Sequence, residues 1–282
     1  MASRRILSVL LVLILAIGLI SVEASATPKP RPLCYIALGD SISFGTGVLP
    51  GQSYPSLVNA TLHAPLMLNF SRDGLNSDRL IHVMRNHYVM NSIRRANLIT
   101  LTIGSNDVLG VFLDIIRKAT GTTDWYAIMS DPANLAKAIE ALNSPGAMVR
   151  LKKGIKTFRK NFPYIVSRIR ALNPKARVVV TTAYSPYHGI VIPIPGTASV
   201  YDLGALSDQM IAGLNQVYSD VAKTKKGSKI IFVDLAIPFA TTPGLLNVEL
   251  TPFTVNMDPH PNAAGQQVIA NLILARIPDM IV

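Results

Sequence analysis

The sequence predicts an α/β fold, a five-stranded parallel sheet with helices on both faces. Three observations carry that reading. Short β-rich runs alternate along the chain with longer helical patterns, as strand–helix–strand units do. The short runs are mainly apolar throughout, as in strands covered on both faces. The clearest helical pattern places Leu151, Ile155, Phe158, Phe162, Ile165 and Ile169 at spacings of four and three, which makes one apolar stripe.

Taken in order, the chain opens with Arg4 and Arg5, an apolar run from Ile6 to Ile20, and the small residues Ala24, Ser25 and Ala26. That order reads as a secretory signal peptide over residues 1–26, cut after Ala26. The apolar run is short against the ~20 residues that span a bilayer, which favours cleavage over a retained anchor. Residues 27–32 read as a proline-rich linker, and residues 33–282 as one domain. The expected location is therefore secreted or cell-surface.

Strands are predicted at residues 34–39, 66–70, 97–103, 177–183 and 229–233. Cys34, the only cysteine, falls in the first and should be buried there as a small hydrophobe. Three segments interrupt the alternation, at residues 108–145, 189–194 and 239–257. The first is long enough to be a helical insertion. All three start beyond the carboxyl ends of strands, where open parallel sheets bind ligands, so they can wall an apolar pocket or merely complete the core. Pro163 is expected to kink or restart the long helical pattern, so that two helices are allowed for. A helix over residues 262–277 closes the domain.

The formal charge of +11 is concentrated. No Asp or Glu lies between Glu140 and Asp202, whereas Arg150, Lys152, Lys153, Lys156, Arg159, Lys160, Arg168, Arg170, Lys175 and Arg177 do. The apolar stripe turns these cations outward. Such a face is either simply solvated or docks on an anionic membrane or cell-wall surface. A leader that exports the chain argues against a nucleic-acid partner.

The chemistry begins at Gly39-Asp40-Ser41, which ends the first predicted strand. Glycine permits a tight turn there, and the turn presents Ser41 at the ligand-binding edge. Far along the chain, Asp258-Pro259-His260-Pro261 places two residues before prolines, hence in extended backbone. Residues two apart in extended chain project to one side, so the Asp258 carboxylate can meet the His260 ring. A carboxylate on one ring nitrogen fixes the tautomer and leaves the other free to take a serine proton. Asn106, in Gly104-Ser105-Asn106-Asp107 after the third strand, offers a neutral amide donor, and Gly74 follows the second strand with an accessible N–H. His82 and His87 read as exposed helix residues, and His63 and His188 have no partner visible in the sequence. The chain has no Gly-x-Ser-x-Gly elbow, phosphate-binding loop or His-Glu-x-x-His motif.

The ordered set Gly39-Asp40-Ser41, Gly74, Gly104-Ser105-Asn106-Asp107 and Asp258-Pro259-His260 resembles the four blocks of the SGNH (GDSL-type) hydrolases, from about Leu33 to Ile277. Ile42 stands where leucine is usual, and the segment after Asp107 is longer than in the smallest members. The resemblance implies a flavodoxin-like three-layer α/β/α sandwich. It implies Ser41 as nucleophile, His260 as general base and Asp258 as its orienting partner. The Ser41 N–H, the Gly74 N–H and the Asn106 amide would form an oxyanion hole, with no metal or cofactor required. The expected function is hydrolysis of carboxylic esters through an acyl-enzyme, as a lipase or esterase. Deacetylation of a cell-wall polysaccharide is the alternative within that chemistry. Outside it stands a non-catalytic protein that binds anionic surfaces through its basic face.

Overall fold

Residues 32–251 and 254–281 are described by the computed structural model. The expected leader, and the linker as far as residue 31, lie outside the described residues. From Leu33 onward the chain forms one compact unit.

The unit begins with β1 (Cys34–Gly39), α1 (Ser41–Phe44), α2 (Tyr54–Leu62) and β2 (Leu66–Asn69). Next come α3 (Ser77–Val83), α4 (His87–Arg95) and β3 (Leu98–Thr102). Four helices follow: α5 (Ser105–Thr120), α6 (Trp125–Ser130), α7 (Pro132–Asn143) and α8 (Pro145–Leu172). After β4 (Arg177–Thr181), a short antiparallel pair, β5 (Val191–Pro193) and β6 (Val200–Asp202), leads into α9 (Leu203–Ala222). The chain ends with β7 (Ile231–Val233), α10 (Ala236–Thr241), the pair β8 (Glu249–Leu250) and β9 (Val255–Asn256), and α11 (Ala263–Leu274).

Five strands pair in the order β2-β1-β3-β4-β7, all parallel. These are the five predicted strands, the first with the predicted bounds and the other four shorter than their apolar runs. The sheet alternates its side chains between two cores. Ile36, Leu38, Ile99, Leu101, Val178 and Val180 pack with α3, α4, α5, α8 and α9. Tyr35, Ala37, Leu98, Val179 and Val233 face the other way, against α2 and α11. The period of two along each strand thus becomes three layers, α/β/α. Because β2 is an edge strand, Leu66 is 40% exposed, unlike the fully covered runs that its composition suggested.

The pattern containing Pro163 folds as the single helix α8, not two. Proline removes its own N–H and crowds the carbonyl four residues back, at a cost of ~3 kcal/mol. Phe158, Phe162, Ile165, Val166 and Ile169 are all buried around it, and their packing outweighs that local cost. The 108–145 segment is helical, as α5, α6 and α7. Asp124, Asp131 and Ser144 cap the starts of α6, α7 and α8. Among the described residues, no helix is long and apolar enough to cross a membrane.

Candidate active site

Strand order reverses between β1 and β3, so a crevice opens at their carboxyl ends. Ser41 and Asn106 follow those two strands. Gly39 has φ 138°, and a Cβ there would lie 2.2 Å from the Thr102 carbonyl oxygen. Glycine is therefore needed for β1 to close against β3 at this point. The Asp40 N–H donates to that same carbonyl at 3.0 Å. The Asp40 carboxylate accepts from the Ile42 N–H at 3.2 Å and the Thr102 hydroxyl at 2.8 Å, capping α1 and presenting Ser41 as its first residue. Beneath the turn, Ser43 Oγ lies 2.6 Å from both the Thr102 and Tyr54 hydroxyls. Burial pushes the Asp40 carboxyl up to about 7, against the lowering effect of its hydrogen bonds from Thr102 and Ile42. Its Oδ2 is buried with no partner among the described residues.

Asn106 is placed by two close contacts. A Cβ on Gly104, at φ 120°, would meet the Phe158 ring at 2.8 Å. A Cβ on Gly154 would lie 2.1 Å from the Asp107 carbonyl oxygen, so α8 crosses the start of α5 at backbone distance. The Asn106 amide donates to the Leu75 carbonyl at 3.1 Å. The neighbouring Asp107 carboxylate accepts from the Ser77 N–H at 3.0 Å and its hydroxyl at 2.5 Å, and Asn161 donates to the Ser77 hydroxyl at 2.9 Å. Burial pushes the Asp107 carboxyl up to about 6, opposed by the bonds from Ser77. These bonds tie α5 to the loop after β2, which carries Gly74 at φ 65°.

Asp258 and His260 meet as their spacing predicts. The His260 Nδ1 bonds the Asp258 Oδ1, which also accepts the His260 N–H at 3.1 Å. Asn247 donates to the other carboxylate oxygen at 3.2 Å. Burial raises the Asp258 pKa, yet the hydrogen bonds from the His260 ring and backbone and from Asn247 outweigh it and hold the carboxyl below its ordinary value. The segment is suspended from two tyrosines beyond β4. The Tyr184 hydroxyl donates to the Pro259 carbonyl at 2.8 Å, and the Tyr187 hydroxyl to the Met257 carbonyl at 3.1 Å. Buried Gln266 joins α11 to the nucleophile turn, accepting from the Tyr54 N–H at 2.7 Å and donating to the Ile42 carbonyl at 3.2 Å. Sequence reasoning did not single out Tyr184, Tyr187, Asn247 or Gln266. Only the position of the tyrosines just past a strand's carboxyl end could have signalled them. His188, which showed no partner in the sequence, bonds Asp208 at 2.8 Å on the surface.

Two openings meet at these residues. A narrow slot runs from Ser41, Asn106 and His260 between α5 and α9. Val108, Leu109, Phe112, Leu151, Leu203, Leu206, Met210 and Ile211 line it, with Tyr187 at one side. A wider groove shares Ser41, Asn106 and His260 and adds Gly74 and Asp258. Asp73, Thr123, Asp124, Trp125, Tyr126 and Asn256 give it a more polar wall. All five predicted residues therefore border one continuous cleft. No hydrogen bond joins the Ser41 hydroxyl to His260 among the described residues, and such bonds often form only with substrate bound. Of the three interrupting segments, 108–145 and 239–257 contribute to the cleft. Ile190, from 189–194, lines a separate surface hollow. One wall of the slot comes from α9, which the sequence did not mark.

Comparison with known proteins follows the same lines. The model of the GDSL-like lipase/acylhydrolase family matches residues 37–268. The uncharacterized protein YpmR of Bacillus subtilis (strain 168) is 22% identical over 261 residues, 90% of this chain and 85% of that protein. Phospholipase A1 from Streptomyces albidoflavus NA297 superposes with a TM-score of 0.58 at 20% identity, covering 86% of this chain and 99% of its own. An extracellular lipase from Streptomyces rimosus gives 0.55 at 19% identity, with coverage of 86% and 99%. At those identities the two structures show a shared fold.

Proposed function

The chain belongs to the GDSL-like lipase/acylhydrolase family, and from that premise we propose that it is an exported esterase acting on acyl esters of lipids. Ser41 is the nucleophile, His260 the general base, and Asp258 the group that orients the ring. The observation that carries the substrate class is the slot, whose walls are aliphatic and aromatic from the serine inward. Such a slot holds an acyl chain by removing it from water, at ~25 cal/mol per Å² of apolar surface. The polar groove on the other side of Ser41 receives the alcohol portion of the ester.

His260 uses Nδ1 on Asp258, so the neutral ring has Nε2 free to accept the Ser41 proton. The serine oxygen attacks the ester carbonyl, and the carbonyl oxygen becomes an oxyanion. The N–H groups of Ser41 and Gly74 carry no hydrogen bond among the described residues, and Asn106 has a second amide hydrogen beyond the one on Leu75. These three donors stabilise the oxyanion. His260 then protonates the departing alkoxide, and water repeats the sequence on the acyl-enzyme to release the carboxylic acid.

The test is a p-nitrophenyl ester series from acetyl to palmitoyl, with an acetylated glycan alongside and Ser41→Ala as control. The expected outcome is that kcat/KM rises from acetyl toward medium or long chains and that Ser41→Ala is inactive. Preference for the glycan would replace the lipid ester by the deacetylase alternative. Full activity in Ser41→Ala would end the nucleophile assignment.

A further inference from the structure

The outward face of α8 takes no part in the reaction just described. The helix carries eight basic residues and no acid. Lys152, Lys153, Lys156 and Lys160 are exposed and form no ion pair among the described residues. Acids on adjoining elements are already engaged. Asp114 binds Arg117, Lys118 and Arg150, Asp220 binds Arg159, and Asp78 accepts from Asn161. Along this face the helical spacing of three and four runs Val149, Lys152 and Lys153, Lys156, Lys160, Tyr164. Val149 is 69% exposed and Tyr164 49% exposed. Four ammonium groups with no ion pair among the described residues therefore lie between the exposed side chains of Val149 and Tyr164 on one helix.

We propose that this stripe docks the protein on an anionic lipid bilayer. The lysines contact headgroup phosphates, while Val149 and Tyr164 enter the boundary between headgroups and acyl chains. Charge complementarity alone would suit any polyanion. The apolar ends favour lipid, because a dissolved polyanion gives Val149 and Tyr164 nothing to bury in, whereas interfacial helices pair Lys with such residues. The opposite side of the same turn carries Leu151, which lines the slot. Only the thickness of one helix, ~10 Å, separates the docked lysines from the cleft. The benefit to catalysis rests on the lipid-ester reading, but the docking itself does not.

The experiment uses residues 33–282, the unit that holds the whole sheet and both cores, so that the apolar run before it cannot bind membrane. Sedimentation compares phosphatidylcholine vesicles with vesicles holding about 30 mol % phosphatidylglycerol. Binding is expected only to the anionic vesicles, and it should fall steeply at about 0.5 M NaCl. Replacing Lys152, Lys153, Lys156 and Lys160 together by Gln should weaken it on the order of 1,000-fold, with soluble-ester hydrolysis and the melting curve unchanged. Val149→Ser should weaken it several-fold without altering charge. Ser41→Ala should bind as the wild type does, so loss of the esterase reading would leave this result standing. Equal binding to neutral vesicles, or undiminished binding by the lysine variant, overturns the proposal. Binding to a soluble poly(glycerol phosphate) but not to anionic vesicles overturns it in favour of a wall polymer.

Discussion

Ser41 owes its setting to residues that never touch a substrate. Asp40 caps the turn that presents it, and Asp40 is fully buried with one carboxylate oxygen unpartnered. Burial holds its carboxyl at about 7 in the folded state, against an ordinary value of 3.8. Between those pH values the folded state holds a proton that the unfolded state gives up, so stability falls as pH rises and levels off above about 8. Asp40→Asn removes this titration, so its melting temperature should gain on the wild type between pH 4 and pH 8. Equal gains at both pH values would show that Asp40 does not titrate there. Asn106 is the other residue that repays isolation. Asn106→Ala should lower kcat on the order of 100-fold with little change in KM, because its second N–H meets only the oxyanion. A near-normal kcat would remove it from that role.

Among the elements, the segment 257–260 depends on the turn after β4. Phe112 stacks on Trp125 and lies 6.1 Å from Tyr187, whose hydroxyl holds the Met257 carbonyl. One side chain thus lines the slot and suspends the strand end bearing Asp258. Tyr187→Phe keeps the ring in the slot and releases the carbonyl. It should lower kcat several-fold while KM holds, with a stability loss of ~1 kcal/mol. A raised KM at constant kcat would instead place the hydroxyl on the substrate. Helix α8 acts over a longer reach, since Gly154 and Phe158 fix where α5 starts and so where Asn106 points. The stripe from Leu151 to Ile169 was readable because helical periodicity is local. The continuity of the helix through Pro163 was not, because burial on both sides of the proline decides it.

For the whole molecule, the two cores share one sheet and draw on residues from Leu33 to Met280. Neither layer can open without loosening the sheet on which the other packs. The domain is therefore expected to unfold in a single transition by calorimetry, and the proposed leader predicts that protein recovered from culture medium begins at Thr27. An N-terminus at Met1 would mean that the leader is retained, and two separated transitions would mean that the layers unfold independently.

Sequence alone determined the layer order, the turns that carry Ser41 and Asn106, and the meeting of Asp258 with His260. Each depends on neighbours in the chain: strand composition, a glycine that admits an unusual backbone angle, or two pre-proline residues two positions apart. Tertiary structure alone decided what surrounds them. Tyr184 and Tyr187 reach the 257–260 segment across seventy residues or more. Gln266 reaches the nucleophile turn across more than two hundred. The slot exists because α5 and α9 pack at a distance set by their side chains and by α8 between them. Pairings of that range leave no periodic trace, since any buried apolar or polar side chain at those positions would read the same before the chain folds.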